Sequence, residues 1–518
     1  MKKRILSAMM AIAMTAGLLS ACGGSGGYAS GGAASSGAEK TVKDSVTVVL
    51  NSEPNGIDPQ QTNQINAFVI QAQVFDTLVT IGGDGTPQPC LAESWETVDE
   101  CTVRFHLRDD VTFHNGEKMT AEDVRYSIER ATLNANSATM FSAFDGEKTA
   151  VVDETTVDIV TKEPFAAIFT YLSMSRAGIV CKSAVEEMGD DEAKRTPIGT
   201  GAFQFVDWSA GTQVTLERNE NFWGEKPAYT TLTFKFVTEA ASRAIEVETG
   251  NADIAFNPDA SDVDRLSGSG DVTTVITPAF GATSIYLNPS DPVLSDLKVR
   301  QAMAYALDLE AIAESVYGAM GSAPGGICAQ SFTSAAKLDL CPYDPDKARQ
   351  LLSEAGYGEG EAEITVLAYT ASDVQSIAEI CQNMWKAAGF KVNLVQADMS
   401  AVLSDVREYK GSCWICGWSY AADDGGFFIG DFDPTYTGNF TYAFESRITD
   451  LKNQAASCMD PEERNELYRQ AQEILYYEDM AIITVADKNI AYLTTPNVTG
   501  FVGAASGAPY LGDIVVYQ

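Results

Sequence analysis

The sequence predicts an α/β protein built from more than one lobe, and three observations carry that expectation. Strand, helix and strand patterns succeed one another twice, around 231–254 and again around 364–394, as they do where helices cover a sheet. About 475 residues follow a short Gly/Ser-rich stretch near the N-terminus, more than one hydrophobic core supports. Apolar residues make up 45% of the chain and aromatics 9%, enough to give each lobe its own core.

The chain opens with Met1-Lys2-Lys3-Arg4, an apolar run from Ile5 to Leu19, and then Leu19-Ser20-Ala21-Cys22. A basic start, a short apolar run and small residues before a cut site predict a secretory signal over 1–21, shorter than a membrane span. Cys22 after Leu-Ser-Ala resembles a bacterial lipobox, which implies acylation of its thiol and a lipid anchor. The uncharged segment 23–38 cannot bury enough surface to fold, so 22–41 reads as a tether with an end-to-end distance of about 25 Å.

Ser45 to Leu50 reads as the first strand, 51–59 as a loop punctuated by Pro54, Gly56 and Pro59, and 67–78 as a helix. Between Leu91 and Arg130, buried positions alternate through Val103, Phe105 and Leu107 and resume at Val111 and Phe113, predicting two strands. His114-Asn115-Gly116-Glu117 is a turn, Thr120 and Asp123 form a capping box, and Val124, Ile128 and Ala131 follow at helical spacing. Val151 to Thr161 reads as a hairpin and Phe165 to Leu172 as a further buried segment. Thr196-Pro197-Ile198-Gly199-Thr200-Gly201 is a structural turn; no Lys-Ser/Thr follows, as a phosphate cradle requires. Strand 231–237, helix 240–249 and segment 250–254 make a βαβ-like unit.

Ser284 to Asn288 reads as a strand, after which Asp296 caps a helix. Val299, Ala302, Met303, Ala306 and Leu307 face its core, and Lys298, Arg300 and Gln301 face outward. Asp344-Pro345 and Asp460-Pro461 each open a helix, and Gly356 and Gly389 each stop one. Strands are expected at 364–368, 390–394, 481–485 and 490–493.

Several of these segments also carry long, ungapped motifs: LAESW, FHLRDDVTFHNGE and TAEDVRYSIER between Leu91 and Arg130, PIGTG at 197–201, NENFWG at 219–224, and the helix 297–308. Together they resemble the large solute-binding lipoproteins of ABC importers, extracellular solute-binding family 5, which includes oligopeptide, dipeptide and nickel receptors. The resemblance implies a two-lobed fold like the periplasmic binding proteins, type II, of the large cluster with an extra inserted subdomain. Mixed sheets would be joined by a two-strand hinge, with crossings near 287 and 482. Lobe I would comprise 42–58, 186–286 and 483–518, the inserted subdomain 59–185, and lobe II 287–482. The implied function is capture of a peptide or peptide-like solute between the lobes and delivery to a permease and ATPase. The protein would act as a monomer, lipid-anchored on the outer face of the cytoplasmic membrane.

Aromatics, carboxylates and glycines gather in Gly417 to Phe428, at the end of a buried strand, where α/β lobes hold ligands. Trp418, Tyr420, Asp423 and Asp424 are the candidate ligand contacts here. Peptide-binding relatives carry an acid three residues after this Trp, for the peptide amine; this chain has Ala421, so the role either moves to Asp423 or Asp424 or the ligand is not held by an amine. Thr62, Asn63 and Gln64 are further candidates through the resemblance, and Phe280 is counted with them. A chelated metal, haem, opine or oligosaccharide stays open as the solute.

With 71 acidic and 35 basic residues the chain stands at −36, and loss of Lys2, Lys3 and Arg4 with the signal takes it to −39, which argues against nucleic acid as a partner. A secreted hydrolase is the competing class, but the chain has no GxSxG or HExxH motif and no histidine beyond His106 and His114. Neither a resident metal nor a cofactor is expected. Cys413-Trp414-Ile415-Cys416 lies in a strand pattern whose alternation sends the two thiols to opposite faces, so it reads as core. Cys90 with Cys101, and Cys328 with Cys341, are candidate disulfides of an exported chain.

Overall fold

The computed structural model describes residues 41–83, 85–433, 441–442 and 446–518. The expected signal, Cys22 and the tether up to residue 40 lie outside them. One mixed sheet of eleven strands forms the backbone of the molecule. Its order is Lys391–Ala397, Glu363–Tyr369, Cys413–Ser419, Thr273–Leu287, Ile482–Thr494, Ile254–Phe256, Ser45–Leu50, Thr231–Phe236, Gln213–Arg218 and Phe203–Ser209, with Gly321–Ser322 added beside Ile482–Thr494.

Two long strands carry the sheet from one core to another. Thr273–Leu287 and Ile482–Thr494 run antiparallel. Ile482–Thr494 pairs at its end, Tyr492 to Thr494, with Ile254–Phe256, and Thr273–Leu287 pairs over Gly281 to Leu287 with Cys413–Ser419. The register breaks between Pro278 and Ala282 and again between Thr283 and Ser284. Proline has no N–H to give to a ladder, and a Cβ at Gly281 would strike the carbonyl of Trp418, so a bulge falls here. The strand expected over 284–288 is thus the end of a fifteen-residue strand, and the pair expected at 481–485 and 490–493 is one strand of thirteen. Asp487, Lys488 and Asn489, which read as a polar break, are held by the Gln330 N–H, by Asp373 at 3.8 Å and by the Ala319 carbonyl.

Each part has its own buried core. Val46, Val48, Leu50, Leu232, Phe234 and Tyr492 belong to the first. The second spans Leu78 to Ala184 and packs under a four-stranded sheet ordered Ala92–Asp99, Thr102–Leu107, Thr156–Val160, Ala150–Asp153. The third runs from Ile285 to Ala486, beneath the parallel strands Glu363–Tyr369, Lys391–Ala397 and Cys413–Ser419. Within the second, residues 111–118 make only an isolated bridge, Thr112 to Lys118, in place of a second strand. The helix Ala121–Leu133 begins with the reciprocal capping box of Thr120 and Asp123.

The glycine-rich turn at 197–201 locks the second core to the first. A Cβ on Gly199 would collide with the carbonyl of Val74, and one on Gly201 would lie 2.6 Å from that of Gln73, so backbone passes against backbone here. His114 completes the lock: its Nδ1 accepts from Gly199 N–H at 3.2 Å, and its Nε2 lies 3.0 Å from the Gly201 carbonyl. Burial lowers the His114 pKa to about 4. Both motifs are therefore structural.

Three expectations are corrected. Arg300 is buried, not outward, and donates to the carbonyls of Leu294, Ser295 and Asp479. All nine described cysteines are free thiols. Cys90 and Cys101 sit at opposite ends of Ala92–Asp99, separated by about 27 Å of strand, far beyond disulfide reach. Cys328 is sealed in the third core, whereas Cys341 lies beside Tyr305 and Tyr476. Cys413 and Cys416 are buried in their strand, and desolvation raises both thiol pKa values.

Candidate functional site

The strand Cys413–Ser419 delivers Trp418 and Tyr420 to the place where the cores meet. Trp418 is half-buried against the third core, 6.2 Å from the ring of Trp414. Tyr420 is fixed at three points. Its N–H donates to the Phe280 carbonyl at 2.7 Å, its hydroxyl donates to Asp431 Oδ2 at 2.6 Å, and its ring meets Phe332 and Phe427 at 5.8 and 6.0 Å. Desolvation pushes the buried Asp431 carboxyl up to about 7, against the lowering effect of the Tyr420 hydrogen bond.

These contacts extend to either side of Tyr420. Phe280 packs on Phe332 at 5.0 Å, and its N–H donates to the carbonyl of Ala505. In the same turn, a Cβ on Gly507 would touch Ile65, which opens the helix Ile65–Val74. One turn along that helix, Phe68 lies under the guanidinium of Arg176 at 5.1 Å. Five residues before Arg176, Tyr171 stacks on Phe427 at 5.4 Å. Near that stack the second and third cores are tied by backbone: Ala166 N–H donates to the Ala456 carbonyl at 2.7 Å, and the Ala166 carbonyl accepts from Arg464 Nη1 at 3.1 Å. Phe280, Phe332, Tyr420, Phe427 and Tyr171 thus form a continuous aromatic seam, and Arg176, against Phe68, follows Tyr171 by five residues.

The expected carboxylates differ in their engagement. Asp424 is buried as the N-cap of Gly425–Gly430, accepting from Gly426 N–H at 2.9 Å. Asp423 is only partly buried and accepts from Thr333 N–H at 3.0 Å, which ties the loop after Trp418 to the loop carrying Phe332. Burial raises the pKa of both. Asn63 is exposed, and Gln64 Oε1 accepts from Asn55 N–H while Thr62 donates to the Asn55 side chain. Tyr171, Arg176, Phe332, Thr333 and Phe427 were not singled out by sequence reasoning as contacts.

Another concavity, of about 480 Å³, runs along Ala121–Leu133. Its charges already neutralise one another, Arg125 with Glu129 and Arg130 with Asp190, so it offers a solute little. No group of three or more His, Cys, Asp or Glu among the described residues is placed to hold a metal.

Comparison with known proteins gives this geometry its setting. Residues 86–439 match the model of the bacterial extracellular solute-binding proteins, family 5 middle. The chain belongs to solute-binding family 5. The family-5 chain is 26% identical over 471 residues to the glutathione-binding protein GsiB of Salmonella paratyphi A, covering 88% of this chain and 91% of GsiB. Its fold is similar to that of HbpA2 from Haemophilus parasuis, with TM-score 0.84, 24% identity, and 92% and 100% of the two chains covered. It is similar also to NikA from Brucella suis in complex with Fe(III)-EDTA, with TM-score 0.81, 23% identity, and coverage of 92% and 100%. The two-lobed periplasmic-binding fold implied by the motifs is thus that of the family-5 chain.

Proposed function

We propose that this family-5 protein captures a small peptide or peptide-like solute in the aromatic seam and hands it to an ABC permease with its ATPase. It would do so as a lipid-anchored monomer, held through Cys22 on the outer face of the membrane, without turnover. The observation that carries this reading is the continuous run of Phe280, Phe332, Tyr420, Phe427 and Tyr171 where the second and third cores meet. Flat, apolar faces with few polar groups among them are how solute sites combine affinity with orientation. Similarity to a glutathione-binding protein over nearly the whole length supports a peptide-like solute.

Asp423 is the better candidate for a ligand amine, because Asp424 is committed to its helix cap. Calorimetric titration of reduced glutathione and of a pool of di- and tripeptides tests this. Trp418→Ala and Asp423→Asn should weaken binding, and the latter by about 2 to 5 kcal/mol if it meets a desolvated amine. Asp424→Asn should mainly lower the unfolding midpoint, and Asp109→Asn is the scaffold control. Affinities all within about twofold of wild type would sink the assignment. Loss in Trp418→Ala alone would point to a solute without an amine, the other reading that Ala421 leaves open.

A further inference from the structure

Asp58, Asp123 and Asp253 are buried carboxylates with a donor on each oxygen. Asp58 Oδ1 accepts from the Gln60 N–H, and its Oδ2 lies 2.8 Å from Arg130 Nη2. Asp123 accepts from the Lys182 N–H on Oδ1 and from the Thr120 N–H on Oδ2. Asp253 holds the Lys43 ammonium with both.

Asp487 departs from this arrangement. It is only 8% exposed. Its Oδ2 accepts from the Gln330 N–H at 3.2 Å, whereas its Oδ1 is fully enclosed with no donor among the described residues. Desolvation lifts the carboxyl to about 6, opposed only by the Gln330 hydrogen bond. The Gln330 side chain is not free to turn to Oδ1, because its amide already donates to the carbonyls of Cys328 and Ala336. Lys488 comes next in sequence, but alternation along the strand sends it to the opposite face, 3.8 Å from Asp373 and over the ring of Tyr317. A buried carboxylate with one oxygen unserved is costly unless a donor from outside the chain meets it.

The sheet turns this side chain toward the seam. Residues directly opposite in an antiparallel pair share a face, and Ala282 stands opposite Trp418 on one side and opposite Asp487 on the other. Trp418, Ala282 and Asp487 thus form one row, with only a methyl between the indole and the carboxyl. The Gln330 loop runs beside that row: Ser331 Oγ donates to the Ala279 carbonyl at 2.5 Å, and Phe332 packs on Phe280. Asp423 stands apart, for it feels the charges of Asp424 and Arg464 but not that of Asp487. We infer that Asp487 is a cation subsite of the seam and receives an ammonium or guanidinium group of the solute, separate from the amine assigned to Asp423. Solutes of this protein then include peptides with a lysine or arginine side chain. This rests on the reading of the seam as the solute site, and goes further by naming a second cationic group that the solute presents.

The test has one arm without solute and one with. Asp487→Asn keeps an acceptor for the Gln330 N–H while removing the charge. If the carboxylate serves only a solute, the empty variant should unfold at neutral pH at the same temperature as wild type or higher. A lower midpoint would mean that Asp487 holds the long strands together, and would overturn the inference. In the second arm, a pool of di- and tripeptides each carrying one lysine, and the same pool with norleucine in place of lysine, are screened by native mass spectrometry against wild type, Asp487→Asn, Asp423→Asn and Trp418→Ala. Wild type should bind lysine members about 30-fold more tightly than their norleucine counterparts, and Asp487→Asn should lose that preference. Asp423→Asn should weaken both pools together and keep it. Equal binding of the two pools by wild type, a preference that survives Asp487→Asn, or one that disappears in Asp423→Asn overturns the inference; weaker binding of both pools by Trp418→Ala would then still leave the seam as the solute site. Capture of no member by wild type, or no loss in Trp418→Ala, removes the seam as well.

Discussion

Replacing Arg464 by methionine should loosen the junction of the second and third cores by about tenfold without unfolding either. The backbone of Ala166 is held by the third core through both its N–H and its carbonyl. Its N–H donates to Ala456 in the helix Ser446–Ser457, and its carbonyl accepts from Arg464 in the helix Pro461–Glu473. A partly exposed hydrogen bond from a charged donor to a peptide carbonyl contributes a net amount of about 1 to 1.5 kcal/mol, and 1.4 kcal/mol is a factor of ten in the opening constant. The nearby Tyr171–Phe427 stack, worth about 0.5 to 1.5 kcal/mol beyond its buried area, stays in place, so the junction should still form. The Ala166 amide itself is the reporter. It exchanges with deuterium when the junction opens, so its rate should rise about tenfold in Arg464→Met while core amides keep theirs. Two results would refute the reasoning: unchanged exchange at Ala166, or faster exchange spread evenly through all three cores.

Two further outcomes are expected. Because burial lowers the His114 pKa from 6.5 to about 4, the unfolded chain binds a proton that the fold excludes. Stability should hold above pH 6.5 and fall as the pH drops through that window, by about 3 kcal/mol at its lower end. His114→Gln should flatten this part of the profile in urea unfolding, and parallel profiles would show that another group causes the loss. Cys22→Ser should release the protein from the membrane fraction of expressing cells, and full retention would rule out Cys22 as the anchor.

Local chemistry was readable wherever one short segment decides the outcome. Asp296, Asp344 and Asp460 each accept a backbone N–H at the start of a helix, and Thr120 and Asp123 close their capping box. Gly356 and Gly389 each adopt positive φ at a helix end, as their place in the pattern requires. The family followed from the same kind of information, since ungapped motifs survive in turns and caps whose backbone admits few residues. Of the candidate site, Trp418, Tyr420 and Asp423 could be named from sequence because they follow one another at a single strand end; that Phe280 packs beside them depends on pairing between distant strands.

Tertiary structure decided whatever depends on partners distant in sequence. Sequence patterning caught only parts of the two long strands, 284–288 of one and 481–485 with 490–493 of the other, since Pro278, Gly281 and the polar run Asp487 to Asn489 interrupt it. Pairing across some two hundred residues, with Gln330, Asp373 and Ala319 holding the polar side chains, overrides that. Arg300 read as outward because helical periodicity cannot show that three carbonyls surround its guanidinium. Asp487 has a lysine beside it in sequence, yet alternation along the strand turns Lys488 to the other face, toward Asp373. Whether a charge is satisfied depends on every atom within a few ångströms, and folding alone determines which atoms those are.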